Sequence, residues 1–287
     1  MKDAAKQAAS IDSSLDPNKR IQLEYFNRFL SRIFSEGDAS EWVLKGGAGM
    51  LARIPSTRST LDIDLYQQGF TLTQALNELR RLAAVDLGDH FRFEYVGHHS
   101  TIGAGAQPYT EGCRVTFAVF IGVAQKGTVK IDLAVGAGLT GKVQAIRPAT
   151  ALDLPRLIGH RYRLYPVVDQ IADKVCATVA EHNGQASSCE KDLVDLVVLA
   201  VTQAIDGKSL TRAIETERMR RKMQPNECFT VPDKWGAGYV RLSKPISYCA
   251  RFTSVSLALA LVSSLIDPAL SSAIDEKVWS PERLQWE

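Results

Sequence analysis

The chain has 287 residues, of which 45% are hydrophobic and 23% charged, so it holds enough apolar material for a sizeable core. This composition excludes a disordered chain, a collagen-like repeat and a small disulfide scaffold. The 34 basic and 32 acidic residues give a net charge of +2, too small for a global field that would commit the chain to nucleic acid or membrane. At ~100–200 residues per domain, the length predicts two lobes.

Neither a membrane span nor a secretory signal is found in the sequence. The longest apolar run, 255–266, is interrupted by serines and is shorter than the ~20 residues that cross a bilayer. Residues 1–15 contain two lysines and no apolar stretch of the kind that secretory signals carry. The five cysteines form no Cys-x-x-Cys pair, and with the five histidines they match no zinc-ligand spacing. We therefore expect a cytoplasmic protein with reduced cysteines, no structural zinc and no membrane partner.

The first half of the chain mixes helical and strand patterns. Apolar residues at three-to-four spacing predict one amphipathic helix from Asp16 to near Gly37. Residues 42–47 form a short apolar segment that breaks into a glycine turn, followed by one or two helical turns over 48–54. Polar and apolar residues alternate over 60–65, which predicts a half-buried strand. The next elements expected are a helix over 72–85 and strands over 91–96, 114–120 and 129–135.

From Pro148 onward the pattern becomes mainly helical. The long helices predicted there cover 167–182, 189–205 and 210–223, and a tail follows over 279–286. We place the lobe boundary near residue 155. This gives an α/β lobe over 1–155 and a mainly helical lobe over 156–287.

Three aspartates in the first lobe indicate a metal site. Asp62 and Asp64 stand two residues apart on a predicted strand and point to the same face, where their repulsion favours a cation between them. Asp132 lies in the middle of another predicted strand. Carboxylate oxygens prefer Mg²⁺ or Mn²⁺, and three such acids on adjacent strands can hold the two metals of in-line phosphoryl transfer. The alternative for Asp62 and Asp64 is an exposed strand edge.

A glycine turn and a polar loop flank these acids. Lys45, Gly46 and Gly47 precede a predicted helix, so backbone N–H groups there can approach phosphate oxygens. The residue order of a P-loop is absent, and a simple strand-to-helix turn is the alternative. Arg58 either clamps a phosphate with its guanidinium or is a solvated loop residue.

These residues resemble a known family. Residues 44–47 and 58–64, which read Leu-Lys-Gly-Gly and Arg-Ser-Thr-Leu-Asp-Ile-Asp, resemble the first signature of the AbiEii/MenT-type nucleotidyltransferase toxins of bacterial toxin–antitoxin systems. Residues 165–174 resemble the lysine motif of that family, and 190–196 resemble its Lys-Asp-x-x-Asp-Leu motif. Ala48 stands where many members have serine, so phosphate binding at this turn rests on backbone groups.

The resemblance implies a fold, an activity and partners. The fold is an α/β, polymerase-beta-like nucleotidyltransferase lobe with a small mixed sheet, followed by a mainly helical C-terminal lobe, with the site in the cleft between them. The activity is transfer of nucleotides, often from CTP or UTP, to the 3′ acceptor end of tRNA, which blocks aminoacylation and translation. A cognate antitoxin is the second partner, and a monomer is our default.

The residue patterns and the resemblance together lead us to expect roles for individual residues. The metal ligands are Asp62, Asp64 and Asp132. The residues expected to bind the nucleotide are Lys45, Gly46, Gly47, Arg58, Thr60 and Lys174. The catalytic group comprises Asp62, Asp64, Lys174, Asp192 and Asp195.

The later motif residues make physical sense on helices. Lys174 projects from an otherwise apolar helix face and can neutralise triphosphate charge as a point cation, or else snorkel from a packed helix. Asp192 and Asp195 share a helix face, where an acid can orient Lys174 or act as general base on the attacking hydroxyl. One of them can instead simply favour the helix N-terminus. We favour Asp192 for the functional role and keep Asp195 as the second choice.

Ser59 and Thr60 lie directly before the two acids of the first motif. A phosphate on Thr60 would place about −1.5 to −2 charge beside the carboxylates and compete for metal and nucleotide. Phosphorylation there is a hypothesis for switching the protein off. The alternative is a loop hydroxyl that caps the strand end.

The segment 208–251 carries ten basic and four acidic residues, with Trp235, Tyr239 and Tyr248 among them. Such a surface can follow an RNA backbone and stack an unpaired end, or it can be a set of solvated helix faces.

Two other functions remain open from the sequence. One is transfer of a nucleotide to a protein hydroxyl, and the other is a nucleotide-binding interaction module without catalysis.

Overall fold

The computed structural model describes residues 1–11, 16–55, 57, 60, 62–100, 111–136, 138–149, 152, 154, 157–182 and 184–287. These residues form two compact units. The first contains Met1–Gly138 and Val143–Tyr165, and the second contains Leu139–Lys142 and Pro166–Glu287. The sequence places the boundary near residue 155, whereas the first unit continues to Tyr165 because the strand Tyr162–Leu164 pairs within its sheet.

A mixed sheet forms the centre of the first unit. Its strands in the described residues are β1 (Trp42–Lys45), β2 (Ile63–Gln68), β3 (Phe91–Ser100), β4 (Glu111–Ile121), β5 (Ala124–Gly136), β6 (Gln144–Ile146) and β7 (Tyr162–Leu164). They lie in the order β3-β4-β5-β2-β1-β7-β6. The β2–β5 and β1–β7 pairs are parallel, and the other neighbouring pairs are antiparallel. The predicted α/β class with a mixed sheet is confirmed.

The helices described in the first unit are α1 (Lys2–Ile11), α2 (Pro17–Ile33), α3 (Gly46–Arg53) and α4 (Leu72–Ala83). α2 begins where the sequence predicts, because the Asp16 carboxylate accepts hydrogen bonds from the first free N–H groups of the helix. α4 begins with a capping box formed by Thr71 and Gln74. α1 has no counterpart among the predicted elements, because residues 1–15 are mostly polar.

The core of the first unit lies between the sheet and helices α2 and α4. Phe29 of α2 meets the rings of Phe93 and Phe117 at centroid distances of 5.2 Å each. One turn further along α2, the buried Arg32 guanidinium donates to both carboxylate oxygens of Asp89, at 3.0 and 2.6 Å. This ion pair fixes α2 against the start of β3, and removal of either partner would cost about 3–5 kcal/mol.

The second unit is mainly helical, as predicted. Its described α-helices and strands are α5 (Val167–Val179), β8 (Glu181–His182), β9 (Gln185–Ala186), α6 (Glu190–Thr202), β10 (Ile205–Asp206), α7 (Gly207–Arg220), α8 (Ala237–Ser243), α9 (Val255–Leu270), β11 (Val278–Ser280) and β12 (Gln285–Trp286). α6 is buried from Asp192 to Ala200 and packs against α5, α8 and α9. The buried Trp279 of the tail donates its indole N–H to the carbonyl oxygen of Ala200 at 2.7 Å. None of the described helices combines the length and the apolar content that crossing a membrane requires.

Candidate active site

Three carboxylates lie near one another on one face of the first unit's sheet. β2 and β5 run parallel with Asp64 directly opposite Asp132, and Asp62 directly precedes β2. Ile63 and Ile131 are fully buried, so the alternation of side chains along the strands turns the aspartates to the opposite, partly exposed face. The side chains of Asp62 and Asp132 are 32% and 31% exposed. The fold therefore places side by side the three acids that the sequence indicated.

Arg114 stands among these acids, and the sequence did not indicate it. It lies on β4 directly opposite Asp132. Its Nε and Nη2 atoms donate to the two carboxylate oxygens of Asp132 at 2.6 Å each, and Nη2 lies 3.6 Å from Oδ2 of Asp62. The pKa of the guanidinium is raised above its ordinary value, first by the hydrogen bonds to Asp132 and further by the charges of Asp132, Asp62 and Asp64. All three carboxylates therefore act on this one cation.

Mg²⁺ or Mn²⁺ fits this cluster by the chemistry of its donors, because both ions prefer carboxylate oxygens. The guanidinium of Arg114 already supplies a positive charge there, as a stand-in cation. Among the described residues, no group of three or more His, Cys, Asp or Glu side chains is arranged to hold a metal ion. Asp132 would have to give up part of its pairing with Arg114 before the acids could act together as ligands.

The predicted glycine turn lies beside the acid cluster. β1 runs antiparallel to β2 with Lys45 opposite Asp64, and α3 begins at the next residue, Gly46. Gly46 has a φ of +61°, and a Cβ there would lie 3.0 Å from Cβ of Asp64 and would overlap its Oδ2 atom. Only glycine fits this position without displacing Asp64. The ammonium of Lys45 lies 5.1 Å from the centroid of the Tyr165 ring, a cation–π contact.

The loop between α3 and β2 is described only in part. The hydroxyl of Thr60 donates to the carbonyl oxygen of Asp62 at 3.1 Å, which agrees with the alternative of a loop hydroxyl at the strand end. Arg58 and Ser59 lie outside the described residues. Their predicted roles, and phosphorylation of Thr60, stay predictions.

In the second unit, Lys174 of α5 lies between two carboxylates of α6. Its Nζ donates to Oδ1 of Asp192 at 2.9 Å and to Oδ2 of Asp195 at 2.6 Å. The side chains of Lys174, Asp192 and Asp195 are 8%, 11% and 1% exposed. The structure thus brings together the three residues of the later motifs. The two carboxylates fix the position of the ammonium by hydrogen bonds. The formal charges of the three groups sum to −1, so the positive charge of Lys174 is fully neutralised.

Two other acids of the motif segments accept hydrogen bonds from backbone N–H groups. The Asp169 carboxylate accepts hydrogen bonds from the N–H groups of Thr140 and Gly141 at 2.8 and 2.7 Å, which ties the segment 139–142 to the start of α5. Glu190 accepts from the N–H groups of Gly236 and Tyr239, at the start of α8. Acids in these motifs therefore also have structural tasks, which spacing in the sequence does not distinguish from catalytic ones.

The basic segment 208–251 differs from the expectation. Trp235 and Tyr239 are buried and donate to carbonyl oxygens of the protein at 2.9 and 2.7 Å, so the prediction that they stack RNA is wrong. The side chain of Arg221 is only 5% exposed, and it pairs with Glu217 and Asp173. The basic residues of this segment whose side chains are exposed are Lys208, Arg212, Lys222, Lys234, Arg241, Lys244 and Arg251. These residues can still form a cationic surface for RNA, but the rings of Trp235 and Tyr239 do not belong to it.

Comparison with known proteins gives a family match over most of the chain. Residues 28–279 match the family model described as nucleotidyl transferase AbiEii toxin, type IV TA system. Among solved structures, MenT4, a nucleotidyltransferase toxin from Mycobacterium tuberculosis, is 14% identical with a TM-score of 0.51, over 95% of this chain and 98% of MenT4. JHP933 from Helicobacter pylori is also 14% identical, with a TM-score of 0.45, over 88% of this chain and 94% of JHP933. No curated protein matches the sequence. At this identity, the likeness to MenT4 shows the fold.

Proposed function

Because this chain belongs to the AbiEii family of nucleotidyltransferase toxins, we propose that it transfers nucleotides from CTP or UTP to the 3′ acceptor end of tRNA. A tRNA modified there would no longer accept an amino acid, so translation would stop. The observation that supports this proposal best is the row formed by Asp62, Asp64 and Asp132 beside the Gly46 turn. In-line nucleotidyl transfer needs such a row, because negative charge develops on the attacking and leaving oxygens together.

The proposed reaction is a displacement at phosphorus. The oxygen of the RNA 3′-hydroxyl forms a bond to the α-phosphorus of the NTP, and the bond from that phosphorus to the oxygen bridging to the β-phosphate breaks. Pyrophosphate leaves, and the proton of the hydroxyl passes to a carboxylate. Both Asp192 and Asp195 accept hydrogen bonds from the ammonium of Lys174. Asp192 is our candidate for this acceptor because its side chain is more exposed than that of Asp195, 11% against 1%.

Separate groups are proposed for the metal and the triphosphate. Asp62, Asp64 and Asp132 would hold Mg²⁺ or Mn²⁺, which when bound supplies positive charge to the reacting phosphoryl oxygens. The groups proposed for the triphosphate are Lys45, the backbone N–H groups of Gly46 and Gly47, Arg58, Thr60 and Lys174. Backbone N–H groups at the start of α3 suit phosphate oxygens because the helix dipole favours negative charge there.

The exposed cations of the segment 208–251 are proposed to contact the tRNA backbone. Contacts of this kind carry little sequence information and weaken as the salt concentration rises.

As a toxin of a toxin–antitoxin family, the protein has a cognate antitoxin. We propose that the enzyme acts as a monomer, in the cytoplasm where tRNA is charged, and light scattering of the purified protein tests the oligomeric state.

The test is transfer of label from each α-³²P-labelled NTP to total tRNA in the presence of Mg²⁺, resolved on a denaturing gel. We expect label on tRNA with CTP or UTP and none with Asp62→Asn, which removes one negative charge at almost constant volume. Asp38→Asn is the matched control, because Asp38 is an exposed carboxylate of the same unit in the turn Gly37–Ala39. This control should label tRNA as the wild type does.

Each outcome of this test separates the possible activities. Label on protein instead of RNA would replace the proposal by nucleotidyl transfer to a protein hydroxyl. No label on either acceptor would favour a nucleotide-binding module. Equal labelling by the wild type and Asp62→Asn would refute the assignment of the acids.

A further inference from the structure

The sheet itself fixes Arg114 next to the acids. Arg114 lies near the start of β4, between Cys113 and Val115, whose side chains are buried in the core. The alternation along the strand therefore turns the guanidinium to the face that carries the aspartates. Directly opposite on β5 is Asp132, and the neighbouring strand places Asp64 beside Asp132. Arg114 is thus built into the same row as the three acids.

The charges in this row explain why a cation is needed. Three carboxylates on one partly exposed face repel one another, so a positive charge close to them is favourable. Among the described residues, the cation paired with Asp62 and Asp132 is Arg114. The planar guanidinium of Arg114 donates one hydrogen bond to each oxygen of Asp132. In this bidentate geometry Arg binds a carboxylate most strongly.

A divalent ion would compete with this pairing. Mg²⁺ is bound in proteins through one or two carboxylates at ~2.0–2.1 Å, so an ion held by this cluster would take oxygens of one or two of these aspartates. That places a charge of +2 next to the guanidinium, and like charges at such separations repel. The pairing of Arg114 with Asp132 and the binding of a divalent ion by Asp132 therefore oppose each other.

We infer that Arg114 is an internal counter-cation of the acid cluster, which holds Asp132 and Asp62 in the metal-free protein and weakens the binding of the divalent ion. This inference rests on the proposed function for the identity of the metal site. Arg114 is a positioning residue in this account. It keeps the acids assembled before the ion arrives, and it raises the concentration of ion needed to fill the site.

The test is a Mn²⁺ titration followed by the electron paramagnetic resonance signal of free Mn²⁺, with the full chain. We expect Arg114→Gln to bind Mn²⁺ on the order of tenfold more tightly than the wild type, equivalent to about 1.4 kcal/mol. Arg92→Gln is the matched control, because Arg92 lies on neighbouring β3 and pairs with the exposed Glu94. It should leave the Mn²⁺ affinity unchanged, and Asp62→Asn should weaken it, which shows that the titrated site is the acid cluster.

Thermal unfolding gives a second readout without turnover. In EDTA, Arg114→Gln should melt at a lower temperature than the wild type, and saturating Mn²⁺ should raise its melting temperature by more than it raises that of the wild type. Should Arg114→Gln fail to fold, Arg114→Lys serves as the second variant. It keeps the charge but loses the bidentate pairing with Asp132, so its Mn²⁺ affinity should exceed that of the wild type by less than the roughly tenfold expected for Arg114→Gln.

The possible results distinguish this inference from the proposed function. A folded Arg114→Gln or Arg114→Lys variant with wild-type or weaker Mn²⁺ affinity would overturn the inference, even if the wild type labels tRNA. Tighter Mn²⁺ binding by the variant would support the inference, even if no tRNA is labelled. Absence of Mn²⁺ binding by both the wild type and a folded Arg114→Gln variant would overturn both the inference and the proposed metal site.

Discussion

The replacement of Gly46 by alanine tests how the glycine turn and the acid cluster depend on each other. Gly46 has a φ of +61°, and a Cβ there would overlap Oδ2 of Asp64. The backbone around Gly46 is held by the pairing of β1 with β2, in which Lys45 lies opposite Asp64. The Asp64 side chain is therefore the part that has to move. We expect Gly46→Ala to turn the Asp64 carboxylate away from the other acids.

The magnitude follows from two separate costs. An alanine in the left-handed region costs about 1–2 kcal/mol relative to glycine. Forcing the Asp64 side chain off its rotamer adds about 0.5–1.5 kcal/mol. Gly46→Ala should therefore lower the free energy of unfolding by about 1.5–3.5 kcal/mol. Transfer to RNA should fall at least about tenfold, because a displacement of about 1 Å in a reacting geometry can lower the rate by on the order of 10²-fold.

Gly37→Ala is the matched control for this experiment. Gly37 has the same φ of +61°, but a Cβ there meets nothing within 4 Å. It should lose about 1–2 kcal/mol of stability from the backbone alone and keep wild-type transfer. Urea unfolding measures both free energies, and labelling of tRNA measures both activities. Equal stability loss and equal activity in the two variants would refute the proposed overlap with Asp64.

Three further predictions concern the second unit. Lys174→Met leaves the buried Asp192 and Asp195 without their cation, so it should lower the free energy of unfolding by about 3–5 kcal/mol. Urea titration measures this loss, and a loss below about 1 kcal/mol would contradict a buried group of three charges. Burial and the charge of Asp195 raise the pKa of Cys249 from 9.0 to about 12, so as pH rises above 9 the unfolded state loses this proton first and stability falls. Cys249→Ala should make that fall between pH 9 and 12 less steep, and an unchanged pH slope would count against it. Neutralising both Lys208 and Arg212 should reduce the slope of log affinity for tRNA against log salt concentration by about 1–2, and an unaltered slope would exclude this surface.

The acid row could be anticipated from local pattern, because alternation depends only on neighbouring residues. Asp62-Ile63-Asp64 and Ile131-Asp132-Leu133 each place apolar residues on one face and acids on the other, and the structure has them so. What the sequence does not contain is the pairing of β2 with β5. That pairing puts Asp64 beside Asp132, and it depends on contacts between segments far apart in the chain.

Arg114 was missed for a related reason. A strand over 114–120 and another over 129–135 are evident in the sequence, and a hairpin between them would bring their ends together. Which residue faces Asp132 depends on the register, and the register shifts at an irregularity between Val119 and Phe120. A shift by one residue would turn every side chain of the strand to the other face, so the sequence alone did not identify Arg114 as the partner.

Trp235 and Tyr239 illustrate the opposite error. They stand among basic residues, which is typical of a surface that binds RNA. Each also has a polar atom that can donate to a carbonyl oxygen, and in the structure both do so while their rings are buried. Burial of an aromatic residue is decided by tertiary packing, so the charges around it in the sequence did not reveal it.

The most direct test of the central claim is the mass of tRNA incubated with the protein, Mg²⁺ and CTP or UTP, followed by the mass of its 3′-terminal fragment after ribonuclease digestion. The account predicts that the wild type adds one or more nucleotides to that fragment. It predicts unchanged tRNA with Asp62→Asn, whose fold is checked by its melting temperature. An unchanged fragment with the wild type, or an extended one with Asp62→Asn, would contradict nucleotidyl transfer by the acids of β2 and β5.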